Sequence, residues 1–461
     1  MKVGTRTLLV SACLMLGLAW LAGGCAFLER TAEEIGNPVS TPPPYEVDGP
    51  ARALHERLIV ADMHADTLLA ARDPRKAAGY GHLDLPRLRA GHVGIQVFSI
   101  VTNMPWCPGH NECRRNPNLV ALLDAAQNWP AEARTDDKAR ALYQAAKLRS
   151  IASDPAAGLV LLENAGDLAR LLAKPLATRP FGAVLAVEGA QAVGDDVAGV
   201  DQLGDAGVRI LGLAHFFDNR VAGSAHGIGH GGLTAFGRLV VQRALARGMI
   251  VDLAHASPAS IDDFLNGWGG APFVVSHTGL RSVCNNKRNL TDEQVRRIVR
   301  AGGLIGIGVW DVPLCLSRSD SAPAYVDKIV FSIKRAVALA DAEHPGRGYE
   351  YITLGSDFDG WVTVGFDAGG WPLLTQGLLR TGLADDQIAR IMGGNVCRLL
   401  LHGLPGGRSP GRGVAPVDAG GSVGERAGRQ PADPCRWLSQ ARKTILPSGF
   451  PSVFNTYAAR R

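Results

Sequence analysis

Aromatic side chains are scarce in these 461 residues, at 6%, and neither sign of charge prevails: 48 Lys and Arg stand against 43 Asp and Glu, for a formal net charge of +5. The basic residues are scattered and no aromatics are interleaved with them, so the electrostatic footprint of a nucleic-acid binder is missing. Beyond the first 25 residues no apolar run is long enough to span a bilayer. No repeat at solenoid periods is visible, which sets aside stacked-repeat architectures. What is present is 46% apolar content in a chain long enough for one large domain with tails.

The two ends read differently from the middle. Lys2 and Arg6 precede a stretch from Leu8 to Ala22 that is nearly all apolar or small, and it ends in Leu21-Ala22-Gly23-Gly24-Cys25. This reads as a signal peptide (residues 1–25) with a lipobox-like end, in which Cys25 is the lipidation candidate. Lipidation there would tether an exported protein to a membrane of the cell envelope; without it the protein would be periplasmic or secreted. Residues 26–49, with Pro38, Pro42, Pro43 and Pro44, read as a linker. Residues 406–461 read as a Gly/Arg/Pro-rich extension, and residues 50–405 as the main domain. Of eight cysteines, two fall in the targeting segment. An even number in an exported chain suggests disulfides. Cys107 and Cys113 bracket a Pro-Gly turn and suit a local bridge.

Within the domain, short β-branched-rich apolar runs alternate with helix-like segments. The runs are 58–62, 93–100, 183–187, 208–214, 249–254, 272–276, 304–309 and 351–356. Continuously apolar strands are buried on both faces, as in parallel sheets. Helices are expected over 236–247 and 292–301, the second capped by Thr291 with Gln294 three residues on. Eight β/α units predict a (β/α)8 TIM-type barrel, with a doubly wound open sheet as the alternative.

The chemistry sits where the runs stop. His64 and Asp66 follow the first, Glu188 ends the third, His215 the fourth, His255 the fifth, His277 the sixth and Asp357 the eighth. In a barrel the C-terminal ends of the strands converge on one mouth. One His or one Glu-Gly after a strand is ordinarily a loop residue. Their joint occurrence at the ends of six runs points to metal. Imidazole and carboxylate donors without thiolate suit zinc. His64 and Asp66, two apart on extended chain, face one side and can share one ion. His255 and His277 can hold a second, with Glu188 bridging. Two such ions about 3.5–4 Å apart trap a water and lower its pKa.

Several motifs resemble the membrane dipeptidase (renal dipeptidase) family of dizinc metallopeptidases: Asp62-Met63-His64-Ala65-Asp66, Leu85-Pro86-Arg87-Leu88-Arg89-Ala90-Gly91, Val187-Glu188-Gly189, Val251-Asp252-Leu253-Ala254-His255, Ser276-His277-Thr278, Lys287-Arg288-Asn289, Gly355-Ser356-Asp357-Phe358-Asp359-Gly360 and Gly393-Gly394-Asn395-Val396. They keep the family's order over roughly residues 55–402. The resemblance implies two Zn2+ per subunit, one on His64, Asp66 and Glu188, the other on Glu188, His255 and His277. It implies a dipeptidase acting through a metal-bridging hydroxide and accepting a D-residue at the C-terminal position. His215 would polarise the substrate, Arg288 would hold its free carboxylate, Asp357 would carry the proton, and Asn395 would help bind substrate. It also implies a Cys284–Cys315 disulfide and a tendency to homodimers. The chain departs from the best-known member at Ala190-Gln191-Ala192, in the loop from Phe216 to Gly232 with His226 and His230, and from Trp106 to Cys113, so substrate preference is expected to differ there. The alternatives are another binuclear hydrolase acting on lactones, esters or β-lactams, and a catalytically silent envelope lipoprotein. His64-x-Asp66 with Glu188, in place of His-x-His with a modified lysine, favours the dipeptidase over the first. The full set of ligands argues against the second.

Overall fold

The computed structural model describes residues 30–107 and 111–407. The expected targeting segment, Cys25 and the chain from 408 on lie outside the described residues. Eight parallel strands form the barrel wall: β1 (Val60–Ala65), β2 (Val93–Val101), β4 (Phe181–Glu188), β5 (Val208–Gly212), β6 (Ile250–Asp252), β7 (Phe273–Thr278), β8 (Leu304–Gly308) and β9 (Ile352–Gly355). A short β3 (Leu159–Leu161) pairs with β4 outside this path. The wall closes where Asp357 N donates to His64 O at 3.1 Å and Asp66 N to Phe358 O at 2.8 Å. The eight expected runs all become wall strands, and the barrel is the fold observed. The first strand runs later than its apolar run suggests, so His64 lies inside it.

Both faces of the wall are dry. Along each strand alternate residues divide between two apolar clusters, as Val97 and Phe98, Val184 and Leu185, and Val274 and Val275 do. That is the period of two expected of a pleated strand buried on both faces, by helices outside the barrel and by the side chains of the other strands inside it. Two strand glycines are needed for close approach. A Cβ on Gly306 or Gly355 would lie 1.9 or 2.0 Å from Ser276 O. Bare backbone there lets β7 bring Ser276 and His277 against its neighbours. The helices start where the sequence provides caps. Thr291 and Gln294 form a capping box on Asp292–Arg300, Thr234 caps Ala235–Ala246, and Ser257 caps Pro258–Trp268.

The described part of the expected linker is not a free spacer. Ser40 N donates to Val364 O at 2.8 Å, Val364 N to Pro38 O at 3.1 Å, and Thr41 N to Gly365 O at 3.2 Å. Val39 packs on the core and Asn37 is buried. Proline in an edge-like ladder only forgoes its own donor, so a Pro-rich segment can dock where composition suggests solvent. Both expected disulfides form, Cys107–Cys113 and Cys284–Cys315, with Cα separations of 5.4 and 5.5 Å. Such bridges fit an oxidising compartment. Among the described residues no helix is long and apolar enough to cross a membrane.

Candidate active site

Six buried side chains from five strand ends meet at the barrel mouth. Glu188 ends β4, and its register against β2 pairs it with Val101. His64 and Asp66 come from β1, His215 from the loop after β5, His255 from the loop after β6, and His277 from β7. His255 adopts φ 61°, a left-handed turn that swings its ring back over the mouth.

Glu188 is the hub. Its Oε1 lies 2.9 Å from His255 Nε2, 3.4 Å from His277 Nε2 and 3.6 Å from His64 Nε2. Its Oε2 lies 3.3 Å from His215 Nε2. His64 Nε2 is 3.4 Å from Asp66 Oδ1, and the Nε2 atoms of His255 and His277 are only 3.1 Å apart. Despite these short distances, His64 Nε2, Asp66 Oδ1 and Glu188 Oε1 are buried and make no aligned hydrogen bond. Buried polar atoms are normally paired. Lone pairs converging without donors fit divalent cations held by nitrogen and oxygen. Among the described residues three overlapping sets have ligand atoms within 4.8 Å of one another: His64, Asp66 and Glu188; Glu188, His215 and His255; and His64, Asp252 and His277.

With protein charges alone the electrostatics are polarised. Burial would raise the Glu188 carboxyl, but His215, His64 and His255 hold it well below the usual carboxylate range. Burial works against charge on His64, yet Glu188 and Asp66 raise it well above an ordinary imidazole. Burial pushes His255 and His277 well down, helped by Arg288 and His64 respectively. Neutral imidazoles are the metal-binding form. Burial also pushes the Asp357 carboxyl well up, and the Asp66 and Glu188 carboxylates add to it. Asp357 Oδ1 stands 3.8 Å from His64 Nε2.

Above this cluster opens a cavity of about 860 Å³. Asp66, Glu188, His215, His255, Asp357 and Arg288 line it, and Met104, Trp106, Phe216, Trp310, Val312 and Trp361 give it apolar walls. Arg288 is buried, donates from Nη2 to His277 O at 2.5 Å, and lies 5.8 Å from the Trp310 ring centroid. His215 Nδ1 faces Asn103 O at 3.2 Å, which puts the ring proton on Nδ1 and leaves Nε2 toward Glu188. Two of the loops that depart from the family wording reach the rim, with Trp106, Asn111, Phe216 and His226 on the cavity wall. Cys113 N donates to His226 O at 2.8 Å and Lys287 Nζ to Asn111 Oδ1 at 2.6 Å.

Asn395 is not in the mouth. Its amide is fully buried and donates to Tyr349 O and Ile352 O at 2.8 and 2.9 Å. Those carbonyls sit at the start of β9, whereas Asp357 lies beyond its end, roughly 15 Å away at about 3.3 Å per residue. The side chain ties the turn before β9 to the first residue of the strand. Supporting residues went unread in the sequence. Asp62 Oδ1 accepts from His64 N at 3.2 Å and Ser356 N at 2.8 Å. Asp252 Oδ1 accepts from Ala254 N and Ser276 N, both at 2.9 Å, and Ser276 Oγ lies 2.8 Å from His277 Nδ1. The available signal was a carboxylate set inside an otherwise apolar strand, where burial is costly unless hydrogen bonds compensate.

A family model described as membrane dipeptidase, peptidase family M19, matches residues 49–402. A dipeptidase of Aspergillus oryzae, aclJ, is 28% identical over 328 residues, covering 70% of this chain and 70% of its own. Another of Claviceps purpurea, tcpJ, is 28% identical over 327 residues, covering 69% of each. Among solved structures, a metallopeptidase of Rhodobacter sphaeroides liganded with a phosphinate mimic of the dipeptide L-Ala-D-Ala superposes with a TM-score of 0.59 at 22% identity. The match covers 74% of this chain and 98% of that one.

Proposed function

This chain belongs to the membrane dipeptidase family, peptidase family M19, and on that footing we propose that it hydrolyses dipeptides with two zinc ions in the mouth cluster. The observation that carries the proposal is Glu188, one of whose oxygens faces His64, His255 and His277 while its lone pairs lack hydrogen-bond donors. His64, Asp66 and Glu188 would hold one ion, and Glu188, His255 and His277 the other. When bound, the pair would supply a water of lowered pKa and a polarised carbonyl.

The protein's own groups do the rest. Arg288 receives the substrate's free carboxylate, because a guanidinium fork pairs with a carboxylate through two parallel charge-assisted bonds. The apolar walls bury the substrate side chains. Asp357, high in pKa and lining the cavity, takes a proton from the attacking water and returns it to the leaving amine. His215, once protonated at Nε2, donates to the developing oxyanion. A second reading has support from the Glu188, His215 and His255 set, in which His215 is itself a ligand. A D-residue at the C-terminal position fits the same reading, by analogy with the L-Ala-D-Ala mimic bound by the Rhodobacter sphaeroides relative. A lipid anchor at Cys25 and a homodimer belong to the same proposal, supported by the small residues before Cys25 and by the family resemblance.

The test is hydrolysis of a dipeptide and of its C-terminal amide, with and without chelator. Rapid, chelator-sensitive cleavage of the free dipeptide and poor cleavage of the amide are expected. Equal cleavage of both would replace the dipeptidase with a broader amidase.

A further inference from the structure

The loop that carries Asp357 is backbone of an uncommon kind. Asp357, Asp359 and Trp361 adopt φ 61°, 63° and 60°. Three left-handed residues in five, none of them glycine, persist only where the surroundings over-determine them. On the strand side Ser356 is tied to Asp62, with Oγ 2.6 Å from Asp62 Oδ2. On the far side the restraints converge on Asp359 and Trp361.

The Asp359 carboxylate accepts from Thr67 Oγ1 at 2.6 Å and His82 N at 2.7 Å, and pairs with Arg72. Arg72 is gripped in turn by Glu33. Trp361 N donates to Asn37 Oδ1 at 2.8 Å. The Trp361 indole lies flat against Gly36, where an added Cβ would come within 2.9 Å of the ring. Pro38 and Ser40 then pair with Val364, as described above. Glu33, Gly36 and Asn37 all precede the residues matched by the family model, 49–402, in the stretch that composition marks as a spacer.

We propose that residues 33–41 are an active-site arm, in which Glu33 and Asn37 are positioning residues that fix Asp357 through Asp359 and Trp361. The inference rests on the reading of Asp357 as the proton carrier. A carboxylate that must reach both the attacking water and the leaving amine tolerates little drift, and a misplacement of about 1 Å costs on the order of a hundredfold in rate.

The experiment uses the full chain with Asn37→Ala, Asn37→Asp and Glu33→Gln. Each is assayed for kcat, KM, metal content and Tm, alone and in the Asp357→Asn background. Asn37→Ala should lower kcat roughly tenfold or more while KM and metal content hold, as expected of a misplaced reacting group. Asn37→Asp keeps an acceptor for Trp361 N and should recover most of that loss. In the Asp357→Asn background the Asn37→Ala effect should vanish. A lowered Tm with wild-type kcat would make the arm merely structural and overturn the proposal. So would an undiminished Asn37→Ala effect in the Asp357→Asn background. Wild-type activity in Asp357→Asn alone would instead sink the proton-carrier reading, which keeps the two failures apart.

Discussion

Arg288→Lys tests the substrate end of the site. The guanidinium is buried, and among the described residues its only hydrogen-bond acceptor is His277 O. One arm of the fork is thereby anchored, and the remaining N–H groups are free to meet a carboxylate in the cavity. A lysine has a single ammonium, so it must choose between the carbonyl and the substrate and cannot present a fork. A charge-assisted hydrogen bond contributes about 1.5–3 kcal/mol, and tenfold corresponds to about 1.4 kcal/mol. KM for a dipeptide should therefore rise about ten- to a hundredfold. The clamp touches ground state and transition state alike, so kcat should change little. The dipeptide amide supplies the other side of a cycle. Wild type should discriminate against the amide by a similar factor, and Arg288→Met should treat dipeptide and amide alike. Metal content must be measured in each variant, since Arg288 also braces the backbone of His277. A KM for the dipeptide within twofold of wild type, with full metal content, would refute the carboxylate clamp.

Asp357→Asn keeps shape but loses the transferable proton; metal content should stay and kcat fall by on the order of 10²–10⁴, read by steady-state kinetics beside elemental analysis. His215→Ala separates its two readings: an oxyanion donor predicts full metal content with kcat down about 10²–10³, and a ligand predicts loss of metal. Stability should fall in mild acid. His55 and His82 are both held down to about 4, chiefly by burial. Their neutral forms are favoured when folded, so their contribution is complete above the unfolded pKa near 6.5 and is lost as pH drops toward 4. At most about 3 kcal/mol per residue is involved. Comparing Tm against pH for wild type and His55→Gln should show a shallower acid loss in the variant. Parallel curves would contradict it.

Much of this was legible in the sequence because parallel strands buried on both faces leave uninterrupted apolar runs, and a barrel gathers their ends. The polar residues that ended those runs could be read together as one mouth. What escaped has physical reasons. Leu159–Leu161 is only three residues, too short for any period to show. Strand β6 stops at Asp252 because that carboxylate bends the chain back to accept from Ala254 N, which an apolar count over 249–254 cannot reveal. Asn395 shares a motif with the family but sits at the other end of the barrel, and a motif carries no information about which end. The prolines of residues 26–49 suggest a spacer, yet docking depends on Asn37 and on the backbone of Val364. Those contacts are more than 300 positions apart in the chain.

The most direct test is metal stoichiometry of the purified chain and of Glu188→Gln, paired with dipeptide turnover. Two divalent ions per chain in the wild type, and loss of ions and turnover together in Glu188→Gln, are the expected result. A chain that takes up no divalent ion under any loading condition, or a Glu188→Gln variant that binds both ions and turns over normally, would contradict the account at its root.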